Sequence, residues 1–339
     1  MFAVEDDCTY STPCPSESRA ARISPKTARW GILLAGGEGT RLRTLTRFIS
    51  GDDRPKQFCR VLGPRTLFEE AMSRAERSVP SEQTVIALTT THERYYQREL
   101  GSSPARKLLQ PANRGTAPAI LLSLLHIVEQ TPDAIVAILP CDHYYSNEAV
   151  FTATLESAFH IAEHEPDRAV LLGACPRGPE IEFGWIQLGQ ARARNLFAVC
   201  GFEEKPPLNV AERLFREGAL WNTFVMVGRA ATFLWMSLMS VPEMYVNLQQ
   251  AAIHCDEQRN LHVPNSLYSP LPAADFSRQI LSQESFRLLA MPLRGLDWHD
   301  LGHADRVLSV VQSNRNKLPV WVQAWEAVRY TTPRPVSQY

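Results

Sequence analysis

The stretch Trp30–Leu42, WGILLAGGEGTRL, sets the expected fold. Trp30, Ile32, Leu33 and Leu34 form a short apolar run, the pattern of a strand covered on both faces in a parallel sheet. Gly36, Gly37 and Gly39 then interrupt it within four positions. Glycine removes side chains that would hold a ligand off the backbone and permits positive φ, so successive N–H groups can converge on an anion-sized hollow. Ala35 leads into the turn, Thr40 and Arg41 follow it, and the guanidinium adds a fork-shaped cation. A nucleoside triphosphate uses all of these features together. The spelling fits neither G-x-x-x-x-G-K-[ST] nor G-x-G-x-x-G, since the latter, counted from Gly37, would need glycine where Leu42 stands. Taken alone, the same letters also describe a plain strand-to-helix turn.

Composition narrows the class. With 339 residues, 45% of them hydrophobic, the chain can bury a large core. The 35 basic and 36 acidic residues balance, which leaves no charge footprint for nucleic acid or an anionic membrane. The seven cysteines are scattered and never spaced C-x-x-C, so they read as free thiols in a reducing, cytoplasmic setting. No apolar run approaches a membrane span, and the first residues lack the basic start and apolar centre of a signal peptide. Residues 1–28, rich in Ser, Thr, Pro and charge without periodicity, read as a disordered tail.

Beyond the opening turn, residues 44–53 show no obvious element and lead into RPKQF, residues 54–58, where Lys56 follows a proline. LFEEAMSRAERSV has helical spacing and VIALTT reads as a strand. A further helix over 91–100, the strand KLLQP, a buried helix beginning near Thr116 and the strand AIVAILP continue the alternation to about residue 175. Thr116 is expected to cap that buried helix, with Pro118 in its first turn. This predicts an α/β, doubly wound, mostly parallel Rossmann-like sheet. FGWIQLG and FAVCGFEEKP then alternate in character, as in a small β-rich lobe. Helices are expected over 207–217, 230–239 and 243–257, strands at WNTFVMVG and RLLAMPL, and a closing helix over 303–313. Trp321 and Trp325, four apart, are expected to dock on the body of the fold or on a partner rather than to bind ligand. The domain boundaries expected are 29–317, with a C-terminal extension over 318–339.

In an open parallel sheet, ligands sit outside the carboxyl ends of the strands. The glycine turn, the segment from Gln110 to Thr116, Asp142 and the WHDLG segment from Trp298 to Gly302 all fall at that rim. Asp142 ends an apolar strand, where burial would raise its pKa unless a cation compensates; Mg²⁺ held by one or two carboxylates and substrate phosphates would do so. Asp300 is the candidate second carboxylate. His299, Asp300 and His303 approach the zinc spelling H-E-x-x-H, but Gly302 interrupts the helix that motif needs. His143 is read as orienting Asp142 rather than acting as a base.

GGEGTRL with RPKQF, QPANRGTAPAI, LPCDH, FGWI, FEEKP, LWN and WHDLG, in this order, resemble the sugar-1-phosphate nucleotidyltransferases, nearest the mannose-1-phosphate guanylyltransferase branch. The resemblance covers roughly residues 30–313 and is to the transferase half of that branch, without its C-terminal isomerase domain. It implies the nucleotide-diphospho-sugar transferase fold, with the β-rich lobe binding sugar. It also implies attack by a hexose 1-phosphate oxygen on the α-phosphorus of GTP, Mg²⁺-dependent, with pyrophosphate leaving. By motif match, Arg41 and Lys56 hold the triphosphate, supported by Ala35, Gly36, Gly37, Gly39 and Thr40. Asp142 and Asp300 carry the metal. Arg114, Gly115 and Thr116 serve the base and ribose. Gly184, Glu204, Lys205 and Asn222 serve the sugar phosphate. The chain departs from the family at Arg43 and Thr44, at Gln110 where an acidic residue is common, at His299, and at WNTFVMVG, which lacks a glycine after Asn222. Another NTP or sugar phosphate, or a silent nucleotide-sugar-binding regulator, stands as the alternative. The expected partners are these small molecules, with a homo-oligomer left open.

Overall fold

The computed structural model describes residues 29–101, 103–251, 254–313 and 318–331; the tail expected over 1–28 and the last residues of the extension lie outside them. The strands in chain order are β1 (Arg29–Leu34), β2 (Thr84–Thr89), β3 (Arg106–Gln110), β4 (Ile135–Pro140), β5 (Tyr144–Tyr145), β6 (Ala169–Ala174) and β7 (Gly184–Ala193). They continue as β8 (Leu196–Glu204), β9 (Leu220–Arg229), β10 (His254–Cys255), β11 (Asn260–His262), β12 (Leu288–Leu293) and β13 (Trp298–His299). Among the described residues, eleven form one sheet in the order β10-β11-β3-β2-β1-β4-β9-β6-β12-β8-β7. β3, β2, β1 and β4 run parallel, as do β6 and β12.

The continuous apolar runs become strands because both faces are covered. Alternate residues of β1 and β4 enter opposite cores: Trp30, Ile32, Val136 and Ile138 on one side, Leu33, Ala137 and Leu139 on the other. The first core is closed by the helix Thr116–Gln130, buried from Ala117 to Leu124. Phe151, Leu155 and Phe159 of the helix Glu148–His164 close the second. A capping box between Thr66 and Glu69 starts the helix Leu67–Ala75.

Four expectations are corrected. Residues 44–53 are not featureless: a helix runs Arg43–Ser50, and its Leu45 packs with Val307, Val311, Val322 and Trp325 of the C-terminal helices Ala304–Ser313 and Trp321–Thr331. Trp325 therefore docks as expected, edge-on to Phe48 at 5.0 Å. Thr116 does not cap its helix; Gly115 at φ 85 precedes it, and the Thr116 hydroxyl instead accepts from the Phe276 N–H at 2.8 Å. The helix expected over 243–257 ends at Gln249, and β10 follows. The β7–β8 hairpin extends the main sheet through β12 rather than standing apart as a lobe.

β9 enters antiparallel between β4 and β6. Its pairing with β6 shifts register between Leu172 and Gly173, with Thr223 Oγ1 donating to the Leu172 carbonyl at 2.5 Å. Phe224 there adopts φ 61, a conformation that glycine would reach without the roughly 1–2 kcal/mol a side chain costs. Such bulges re-aim side chains, and this one lies at the rim where β9 borders the central cavity.

Candidate active site

A cavity of about 380 Å³ opens at the carboxyl ends of the parallel strands, bounded by Leu34, Ala87, Gln110 and Pro140 of β1 to β4. Of the residues expected to act, Gly36, Gly37, Arg41, Gly115, Thr116, Asp142, Gly184, Glu204, Lys205, Asn222 and Asp300 all line it. Five do not. Ala35 is buried beneath the turn, Gly39 and Thr40 lie outside the lining, Lys56 sits behind the carboxylates, and Arg114 turns away to donate to the Ser269 carbonyl at 2.8 Å.

The glycine turn is built against RPKQF. Among its three glycines only Gly39 has positive φ, at 60°, and a Cβ there would lie 2.9 Å from the Lys56 nitrogen. Gly36 is needed for space, because a Cβ would meet Thr89 Oγ1 at 3.0 Å and Gln110 Nε2 at 3.2 Å, whereas Gly37 faces open space. Gln57, unremarked in the sequence, fastens the turn by donating to the Ala35 and Gly37 carbonyls at 2.9 and 2.8 Å.

The two candidate metal carboxylates come from distant segments joined by the small ribbon in which β13 pairs with β5, Trp298 opposite Tyr145. Asp142 precedes the ribbon on one strand and Asp300 follows it on the other. Lys56 lies between them. Its ammonium donates to the Asp300 carbonyl at 2.6 Å, contacts the Leu301 carbonyl at 3.4 Å and pairs with Asp142 Oδ2 at 3.3 Å. Lys56 thus sets a cation against the strand-end aspartate. His143 accepts from the Trp298 indole N–H at Nδ1, at 3.3 Å, so its Nε2 carries the proton and faces Asp142 Oδ1 at 3.6 Å. Burial lowers the pKa of His143 and favours its neutral form, but at 3.6 Å its Nε2 stops short of the orienting hydrogen bond to Asp142 expected of it.

Asp300 is nearly buried. Burial alone would raise its carboxyl, but the charges of Lys56 and Arg306 and the Gly302 N–H outweigh that and hold it below the ordinary carboxylate range. Arg306 Nη1 donates to Asp300 Oδ1 at 2.9 Å, and the Gly302 N–H reaches the same oxygen at 3.0 Å. Oδ2 is left with Arg41 Nη2 as its neighbouring cation at 3.9 Å. Glu182, which sequence reading passed over, ties this wall together. It pairs with Arg41 at 3.3 Å, His303 at 2.8 Å and Arg306 at 3.0 Å. His303 is thus engaged by a carboxylate.

On the opposite wall, Gly184 pairs with Glu204 across β7 and β8, and a Cβ at Gly184 would fall 2.5 Å from Glu204 Oε2. The missing side chain lets that carboxylate reach the cavity. Burial, reinforced by Asp275, raises the Glu204 pKa, with Lys205 at 3.4 Å partly offsetting it. Asn222 donates to Ser277 Oγ at 3.2 Å and accepts from the Phe224 N–H at 3.0 Å, which fixes its amide. The arrangement offers cations at one end, two carboxylates beside them, and hydrogen-bonding groups with a half-exposed ammonium at the other.

Residues 30–317 match the family described as Nucleotidyl transferase. The mannose-1-phosphate guanylyltransferase RfbM of Salmonella typhimurium is 26% identical over 302 residues, spanning 87% of this chain and 58% of its own length. A mannose-1-phosphate guanylyltransferase of Klebsiella pneumoniae is 28% identical over 282 residues, spanning 80% of this chain and 57% of its own. The chain spans about half the length of the curated relatives it matches. A crystal structure from Thermus thermophilus, described as a mannose-1-phosphate geranyltransferase, superposes with a TM-score of 0.71 at 27% identity, covering 83% of this chain and 79% of that one. The fold, the rim cavity and a family match across most of the chain agree: this protein belongs to the nucleotidyl transferase family, that of the sugar-1-phosphate nucleotidyltransferases.

Proposed function

We propose that the protein joins a hexose 1-phosphate, foremost mannose 1-phosphate, to GTP in a Mg²⁺-dependent reaction that yields GDP-hexose and pyrophosphate. The observation that carries this reading is that Arg41, Asp142 and Asp300 line the same cavity as Glu204, Lys205 and Asn222. Both substrates are polyanions, so their approach needs fixed cations and their reaction needs charge stabilised on the leaving group. Arg41, half-exposed and held among the described residues by carboxylates at 3.3 and 3.9 Å, can exchange those partners for phosphate oxygens. Lys56 already spends its ammonium on protein oxygens. Its part is to hold the Asp142 and Asp300 segments rather than to grip the triphosphate as the resemblance implied.

The donor set suits Mg²⁺. Asp142 and Asp300 are hard oxygen donors on one wall of the cavity, and among the described residues Asp300 Oδ2 has Arg41 as its ion-pair partner, at 3.9 Å. When bound, the ion would polarise phosphate oxygens and template the two substrates. Lys205 would pair with the sugar phosphate, and Glu204 and Asn222 would receive and orient ring hydroxyls. No protein nucleophile is required, since a phosphate monoester is already anionic. The free thiols among the described residues support a reducing, cytoplasmic setting.

Gln110 favours a second reading of the base. Its Oε1 accepts from the Tyr268 hydroxyl at 2.5 Å and its Nε2 donates to the Leu88 carbonyl at 3.3 Å. One N–H then remains on a residue that lines the cavity. A donor suits the keto oxygen of guanine, but equally that of uracil or thymine. Incubation with each NTP and each hexose 1-phosphate, scored by pyrophosphate release, tests both readings. Preference for UTP or dTTP would overturn the guanylyl assignment, and no release with any pair would leave a silent regulator.

A further inference from the structure

We infer that the last turn of the helix Glu148–His164 carries a binding site for a transition-metal ion of the Ni²⁺, Cu²⁺ or Zn²⁺ class, held by His160, Glu163 and His164. Helical residues at i, i+3 and i+4 share one face. Here one ligand atom from each of the three lies within 4.8 Å of the others. Ligands bound at about 2.0–2.2 Å to one ion stand roughly 3–4 Å apart, so small rotamer adjustments close the site.

The neighbours of the cluster prepare it for metal. The His164 Nδ1–H donates to the His160 carbonyl at 2.8 Å, because a carbonyl can only accept. That bond fixes the tautomer and leaves the Nε2 lone pair for a metal, the backbone support that ligating histidines commonly have. Glu163 is oriented likewise. Its Oε1 lies 3.5 Å from Arg29 Nη2, and Arg29 is itself anchored to Glu156 at 2.6 Å, while Oε2 faces His160 Nδ1 at 3.7 Å. The imidazole rings stand 4.4 Å apart. The cluster also sits at the carboxyl end of a 17-residue helix, where the partial negative charge of the unpaired carbonyls favours a cation.

Two imidazoles and one carboxylate select Ni²⁺, Cu²⁺ and Zn²⁺ over Mg²⁺, which prefers oxygen ligands. His160 and His164 are exposed, so a fourth position faces outward, open to water or to a ligand from another molecule. None of the three residues lines the central cavity. The site is separate from the nucleotidyl transfer centre and independent of its reading.

Calorimetric titration of the full chain with NiCl₂, ZnCl₂ and MgCl₂ tests the site. The cluster predicts one Ni²⁺ or Zn²⁺ per chain that excess Mg²⁺ does not displace. His160→Ala and His164→Ala should each weaken it by about tenfold or more. Asp142→Asn should leave it unchanged. With Cu²⁺, electron paramagnetic resonance should show coupling to two imidazole nitrogens, which also separates this site from binding by the exposed thiols of Cys175, Cys200 and Cys255. Equal affinity in the wild type and both histidine variants, or no ion bound, would overturn the inference.

Discussion

Lys56→Met removes a charge from beneath the cavity while keeping much of the side-chain volume. Lys56 is 8% exposed, and its ammonium holds a segment that carries strain, since Leu301 is fully buried at φ 50. A non-glycine residue in that conformation costs about 1–2 kcal/mol, so it persists only where neighbours over-determine it. The contact at 2.6 Å to the Asp300 carbonyl is a charge-assisted hydrogen bond, a class that contributes about 1.5–3 kcal/mol. The ion pair with Asp142, whose side chain is 28% exposed, adds at most about 1 kcal/mol. Methionine recovers part of the packing, leaving a net loss of about 2–3 kcal/mol. For a domain of this size that lowers Tm by roughly 3–5 °C, measurable by differential scanning fluorimetry. Release of the Leu301 segment would also displace Asp300, so the Mg²⁺ concentration for half-maximal pyrophosphate release should rise more than the KM for the sugar phosphate. An unchanged Tm together with an unchanged Mg²⁺ dependence would refute the account of Lys56 as the post behind both aspartates.

Gly115→Ala should destabilise the fold by about 2–4 kcal/mol, because φ is +85° and the new Cβ would fall 2.3 Å from the Ala274 carbonyl oxygen; wild-type thermal stability would contradict this. Burial pushes the Glu99 carboxyl up to about 7, only partly opposed by the Thr66 hydroxyl. The raised value means that the protonated form is favoured in the fold, so wild-type stability declines as pH rises from about 4.5 to about 7. Glu99→Gln should remove that decline, read as a difference in Tm that grows in favour of the variant across this window. Lys205→Ala should raise the KM for the hexose 1-phosphate about 10- to 100-fold while leaving that for the NTP nearly unchanged, and equal effects on both would misplace the sugar-phosphate end.

Much of this arrangement was legible because it rests on local pattern. The runs at Trp30, Val85 and Ala134 are apolar without alternation, and they become strands buried on both faces. The glycine turn, Asp142 and Asp300 were placed at one rim by the rule for parallel sheets, and they line one cavity. Hidden were features whose cause lies far along the chain. The helix Arg43–Ser50 buries Leu45 against Val307 and Trp325, so its apolar face has no local partner to announce it. Gln57 is an ordinary polar residue until the turn it fastens is seen. Glu182 acquires meaning only when Arg41, His303 and Arg306 converge on it. The antiparallel entry of β9 is written in pairings with β4 and β6, not in its own composition. Arg114 illustrates the opposite failure: its place in a motif suggested a ligand contact, yet its guanidinium reaches Ser269.

Mass spectrometry of the reaction products tests the central claim most directly. Wild-type protein given GTP, mannose 1-phosphate and Mg²⁺ should form GDP-mannose and pyrophosphate in equal amounts, and omission of the metal or the change Asp142→Asn should abolish both, with the variant's Tm lowered by no more than about 2 °C for the lost Lys56 ion pair. Absence of a nucleotide-sugar product with every combination of NTP and hexose 1-phosphate, or undiminished product from Asp142→Asn, would contradict the account.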